Sequence, residues 1–215
     1  LNIKILILTI YMSVDIEEYS WDIINKYFKH NPKALVEHHL DSYNLFFNKD
    51  IYNIFKERNP IKIRKSYIEK KDAYKFECNI YLGGKNGSKI YYGKPIIYDS
   101  GNTHFMFPNE ARLRNMTYGT TIYYDMFVEF IQQNENDEII RDTHEFSKIL
   151  LGKIPIMLHS NLCALNTLSR DLCFQLGECK NDHGGYFIID GKEKVIIPQE
   201  KFADNMMYIK ENNEE

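Results

Sequence analysis

Residues 74–98 read YKFECNIYLGGKNGSKIYYGKPIIY. Tyr74, Phe76, Cys78, Ile80 and Leu82 alternate with Lys75, Glu77, Asn79 and Tyr81, and this period of two marks a half-buried strand. Gly83 to Lys89 is a glycine-rich turn, and Ile90 to Tyr98 returns as a second strand. Pro95 cannot donate to a ladder, so the return strand is expected at a sheet edge.

Working outward, the strands are preceded by helical spacing. Ser20 is placed to cap a helix with Trp21, Ile24 and Phe28 on one face, and Asn31-Pro32 breaks it. Leu40, Tyr43, Phe47, Ile51 and Ile54 then follow at intervals of 3, 4, 4 and 3. Downstream, Ile122, Tyr124, Met126, Val128 and Phe130 alternate as another strand, and NENDE (Asn134 to Glu138) is an acidic loop. Ile154 to Leu158 reads as a short buried strand. Leu165, Leu168, Leu172 and Leu176 mark a helix closed by Gly177. Tyr186 to Ile189 and Val195 to Ile197 flank Asp190-Gly191, a dipeptide favoured in tight hairpins. The expected class is α+β, with helices packed on an antiparallel sheet in a single domain.

Composition narrows the function classes. The 215 residues are 44% hydrophobic and 14% aromatic, too apolar for a disordered tail. A net charge of -3 argues against a globally basic nucleic-acid coat. No stretch approaches the roughly 18 apolar residues that cross a bilayer, so no membrane association is expected. Ile (28), Asn (20), Lys (21) and Tyr (16) dominate, and all have A/T-rich codons, so the skew reports genome composition more than chemistry. Cys78, Cys163, Cys173 and Cys179 form no CxxC pair and read as reduced intracellular thiols. Residues 1–11 (LNIKILILTIY) resemble a signal segment but lack a small-residue cleavage site; Met12 reads as the start and 1–11 as upstream read-through.

No self-contained active site emerges. GYFIIDGK (Gly185 to Lys192) has glycines one residue too far apart for a phosphate loop and an interior committed to a strand. His159, Cys163, Cys173, Cys179 and His183, separated by 4, 10, 6 and 4, match no common zinc site. Adjacent His38 and His39 should diverge on a helix. Asp-x-Asp, which two-metal nucleotidyl transfer would use, does not occur. Two small basic clusters remain. Arg112 and Arg114 lie at alternate positions of PNEARLRNMTY and suit phosphate or carboxylate, either on nucleic acid or in an internal pair with Glu110. Lys192 and Lys194, in DGKEK, belong either to a solvated turn or to a nucleic-acid contact.

GKIPIML (152–158) and LGECKNDHGGYFIIDGKEKVIIPQE (176–200) resemble the signature of the second-largest subunit of multisubunit DNA-directed RNA polymerases, of the eukaryotic, archaeal and large-DNA-virus type. WDIINKYF (21–28), LVEHHLDSYNLFF (35–47), KIYYGKPIIY (89–98) and PNEARLRNMTYGTTIYYDM (108–126) match in the family's order, so the resemblance spans roughly Glu18 to Ile209.

The resemblance implies that residues 12–209 form the first part of the protrusion domain, and 210–215 a polar tail at the truncation point. The protrusion walls the DNA cleft and binds partner subunits and initiation factors, so the implied partners are the largest subunit, the remaining second-subunit domains, the DNA template and nascent RNA. Lys194 and Gln199 are the positions carried over as nucleic-acid-proximal, with Arg112, Arg114 and Lys192 as further candidates. The chain would hold no cofactor; the catalytic magnesium of the assembled enzyme is held mainly by the largest subunit. The implied activity is DNA-directed RNA polymerase (nucleotidyltransferase, ribonucleoside-binding), with the isolated chain inactive. The setting would be the nucleus, or a cytoplasmic viral factory or virion. The alternative is a stand-alone, non-catalytic protrusion-like module that binds nucleic acid or polymerase. Family members exceed a thousand residues, so a lone fragment should leave strand edges and apolar surface uncovered. Pro198 implies that the strand at VIIPQE is an edge or ends at Ile197.

Overall fold

Three helices precede the first strand. α1 (Asn2–His30) continues through Ser20, whose hydroxyl donates back to the Ile16 carbonyl at 2.7 Å. Ser20 is therefore not a cap: the turn before it already satisfies the helical N–H groups, which leaves the hydroxyl the carbonyl four residues back. Asn31-Pro32 does end α1, and every described side chain from Ile16 to His30 is exposed. α2 (Glu37–Leu45) and α3 (Ile51–Arg58) are joined by one wide π turn over Phe46–Asp50. The wide turn retards the phase of the buried stripe, which continues Leu40, Phe47, Ile51 and Phe55, while Ile54 faces out. The computed structural model describes residues 2–69, 73–99, 101–133 and 138–210, with side chains from Ile16 onward. The expectations for residues 1–11, 134–137 and 211–215 concern residues or side chains outside that set.

Asn59 ties the helices to the sheet, its side-chain amide donating to the Leu82 carbonyl (2.7 Å) and accepting the Leu82 N–H (2.8 Å). β1 (Ile61–Ile68) and β2 (Ala73–Leu82) pair antiparallel, with Ile63 opposite Cys78. The predicted return strand is two short ones: β3 (Ile90–Tyr92) stays in the main sheet, whereas β4 (Ile96–Asp99) leaves it to pair with β5 (Asn102–Phe105). Pro95 explains the break, since it offers no N–H to continue the ladder. α4 (Pro108–Leu113) leads into the two longest strands, β6 (Gly119–Gln133) and β7 (Ile139–Pro155). β2 and β3 lie end to end along one edge of β6, and β7 runs the length of the other, completing a five-stranded antiparallel sheet.

Among the described residues three clusters of buried side chains form, the smallest joining Leu40, Met157 and Phe187. Phe47, Ile51 and Phe55 pack on Ile90 and Ile122, and Tyr43 donates its hydroxyl to the Pro155 carbonyl at 2.8 Å. The largest core gathers Ile97, Met106, Tyr118, Ile156, Leu158, Leu165, Cys173 and Ile188. Ile156, Met157 and Leu158 are buried as expected, but β7 ends at Pro155 and these three follow as loop. The leucine stripe is likewise split: Ala164–Thr167 forms one 3₁₀ turn, and α5 (Arg170–Gln175) starts anew at Ser169, whose hydroxyl accepts the Leu172 N–H. Leu172 is consequently exposed, and Gly177 ends α5 at φ +88°. The hairpin forms, but its arms are β8 (Phe187–Ile189) and β9 (Lys192–Lys194). Asp190 and Gly191 both take positive φ (50° and 73°), a two-residue turn that obliges pairing to begin at Lys192. Val195–Ile197 therefore lie beyond the ladder, exposed, and the strand stops well before Pro198.

Candidate nucleic-acid interface

The PNEARLRN segment folds as a short helix, not as the extended segment that its alternating arginines suggest. Pro108 suits the first helical position, where an N–H would have no partner. Ala111 is fully buried, which turns Arg112 toward the interior at the last turn and leaves Arg114 at the C-cap. The two side chains therefore diverge.

Arg112 is a hub. Its Nη1 donates to Glu178 Oε2, its Nε to Glu193 Oε1 and its Nη2 to the Tyr186 hydroxyl, each at 2.8 Å. Tyr186 in turn donates to Asp182 at 2.6 Å. The Glu178 side chain is 3% exposed and that of Arg112 20%. Burial works against the Arg112 charge, but the bond to Glu178 and the neighbouring Tyr186 outweigh it, and the guanidinium pKa is raised. Burial, then the bond to Asp182, holds the Tyr186 phenol above its usual range. Glu110, the partner expected for both arginines, does pair with Arg114 (3.3 Å) and also bonds His104 (3.0 Å), whereas Arg112 turns to other acceptors. His104 first, then Arg114, keeps the Glu110 carboxyl below its ordinary value. Arg114 also reaches Asp99 at 3.3 Å.

Lys192 and Lys194 stand exposed on β9, on either side of Glu193. Their hairpin is docked by its turn: the Gly191 N–H reaches the Met116 carbonyl (3.0 Å) and the Asp190 N–H the Thr117 hydroxyl (3.1 Å). Gln199 lies in the exposed segment beyond, outside any element. The structure thus brings Arg112, Lys192 and Lys194 to one hairpin and leaves Arg114 on the far side of α4. A cleft of about 330 Å³ separates the hairpin from the start of α2, lined by Val36, His39, Tyr186 and Lys194 among others. His38 and His39 do not diverge as expected; their ring centroids are 4.0 Å apart. Burial first, then His38, lowers the His39 pKa.

Sequence reasoning missed Glu178, Tyr186 and Glu193. The available signal was the scarcity of arginine, six in the chain, since one placed beside a fully apolar Ala111 implies buried acceptors. Among the described residues no three His, Cys, Asp or Glu side chains gather into a set that fits a metal ion, magnesium included. Cys163 and Cys173 are buried and Cys179 is exposed.

The family model described as "RNA polymerase beta subunit" matches residues 34–210. "DNA-directed RNA polymerase II subunit 2" of Arabidopsis thaliana is 38% identical over 195 residues, 90% of this chain and 16% of the relative. "DNA-directed RNA polymerase II subunit RPB2" of Encephalitozoon cuniculi is 34% identical, over 90% of this chain and 16% of the relative. The archaeal "DNA-directed RNA polymerase subunit Rpo2N" of Methanothermobacter thermautotrophicus is 30% identical over 91% of this chain and 33% of its own length. The chain thus spans about one sixth of the eukaryotic relatives it matches, in their N-terminal region. With a match running from before α2 to beyond the hairpin, this chain belongs to the RNA polymerase beta subunit family.

Proposed function

We propose that the chain acts in template-directed RNA synthesis as the first part of a second-subunit protrusion, walling the DNA cleft within an assembled polymerase. The observation that carries this reading is an uncovered sheet face. In register, Ile61 and Ile63 of β1, Tyr74 and Phe76 of β2, Phe130 of β6, and Ile140 and Phe146 of β7 share one face, each 39–56% exposed. At roughly 200 Å² per side chain they expose about 640 Å², at the upper limit of the largest apolar patch on an ordinary monomer and approaching one side of a standard interface. The remaining second-subunit domains and the largest subunit are the partners that fit, with initiation factors on the outer surface. The hairpin lysines and Gln199 would border DNA or nascent RNA. Magnesium and the bond-forming chemistry are assigned to the largest subunit, so the isolated chain is inactive. The setting is the nucleus in a eukaryotic host, or a viral factory for a virus.

Affinity capture from the native source with an antibody to this region, followed by mass spectrometry, tests the reading. The largest polymerase subunit should accompany the chain, and Ile63→Asp with Phe130→Asp should release it. Capture of the chain with no polymerase subunit would replace this reading with a stand-alone module.

A further inference from the structure

Each nitrogen of the Arg112 guanidinium already donates to a protein acceptor, so three of its five N–H groups are engaged within the protein. What it grips is informative. Glu178 and Tyr186 belong to the buried floor, whereas Glu193 belongs to β9 and is the middle residue of Lys192-Glu193-Lys194. Alternation along a strand sends Glu193 to one face and both lysines to the other. Neither lysine forms an ion pair among the described residues. Arg112 therefore holds the carboxylate that lies between them in sequence on the opposite face of the strand from both lysines.

We propose that Arg112 is a positioning residue whose bond to Glu193 latches β9, so that Lys192 and Lys194, exposed on the strand face they share with Ile189 and Phe187, with Lys194 bordering the cleft beside α2, present a pair of ammonium groups to the phosphates of a nucleic-acid strand. The phosphate partner rests on the functional reading above; the latch rests on the contacts alone. The ladder of this hairpin is short, Phe187 opposite Lys194 through Ile189 opposite Lys192, so a side-chain tether at its middle matters more than it would in a long strand. The second tether, at the turn, fixes the tip but not the outgoing chain toward Gln199.

Glu193→Ala removes the acceptor and cuts the tether while keeping Arg112 and Glu178 paired, and so avoids the folding loss expected of Arg112→Ala. In the full chain, amide hydrogen exchange over residues 187–194 should accelerate about fivefold in Glu193→Ala with the global melting temperature unmoved. In the reconstituted polymerase, Glu193→Ala and Lys194→Ala should alter transcript elongation in the same direction. Unchanged exchange in Glu193→Ala would overturn the latch, whatever elongation does. Faster exchange with elongation indifferent to both variants would uphold the latch and remove the nucleic-acid reading.

Discussion

Arg112→Ala is the most informative single change in this molecule. The substitution removes three 2.8 Å contacts and strands the Glu178 carboxylate, whose side chain is 3% exposed. Breaking one side of a buried ion pair costs about 3–5 kcal/mol, because the remaining charge is left uncompensated. The lower end applies here, since Arg112 itself keeps some solvent contact and the Glu193 carboxylate, more than half exposed, adds little. About 3 kcal/mol in a domain of this size lowers the melting temperature by roughly 6–12 °C. Differential scanning calorimetry on the full chain measures it. A control separates charge from packing: Glu178→Gln in the Arg112→Ala background removes the stranded charge and should restore at least half the loss. If the single variant melts within about 2 °C of the parent, or Glu178→Gln rescues nothing, the buried-charge argument is wrong.

Other perturbations probe the hairpin and its surroundings. Gly191→Ala forces a side chain into φ +73° and sets its Cβ 2.8 Å from the Asn115 Cα, so it should cost about 1–3 kcal/mol in urea unfolding; a neutral result would mean that the turn is not docked. Burial first, then Lys33 and His183, holds the His159 pKa below 6.5, with Asp182 pulling the other way. The unfolded chain thus takes up a proton near pH 6.5 that the folded chain resists, and stability present at neutral pH is lost as pH falls through that value. His39 contributes in the same direction. His159→Asn, which tolerates the positive φ of 59°, should flatten the loss between about pH 7.5 and about pH 5.5, and an unaltered profile would assign the pH dependence elsewhere.

Local periodicity makes the strands legible and fails wherever a distant contact sets the geometry. The alternation of Tyr74 to Leu82 appears as β2 and that of Ile122 to Phe130 lies inside β6, because a period of two needs only one buried face to be read. β1 escapes such a reading; its residues are nearly all exposed, and Lys65 breaks the alternation that Ile61 to Arg64 begin. The leucine stripe from Leu165 to Leu176 reads as one helix, since spacing cannot show that Ser169 will stop one turn and cap the next. Arg112 and Arg114 can be singled out by type. Their divergence depends on Ala111 being buried, and the partners of Arg112 lie 66 and 81 residues away, a separation that no local pattern encodes.

The two ends of the sheet show how the same alphabet serves different purposes. Near α2 and α4, apolar residues meet each other, and the charges of Arg112 and Glu178 are paired and withdrawn from solvent. Along β1 and β2, Ile63 and Phe76 alternate as core residues do, yet they remain exposed. The alternation encodes a face fit for contact without encoding the contact itself. Leaving about 640 Å² of such surface in water contributes nothing to folding and forgoes the roughly 25 cal/mol per Å² that burial would return. The face is therefore the feature of this chain for which a covering partner offers the physical account, and the buried Arg112 hub is what keeps the hairpin end ordered independently of that partner.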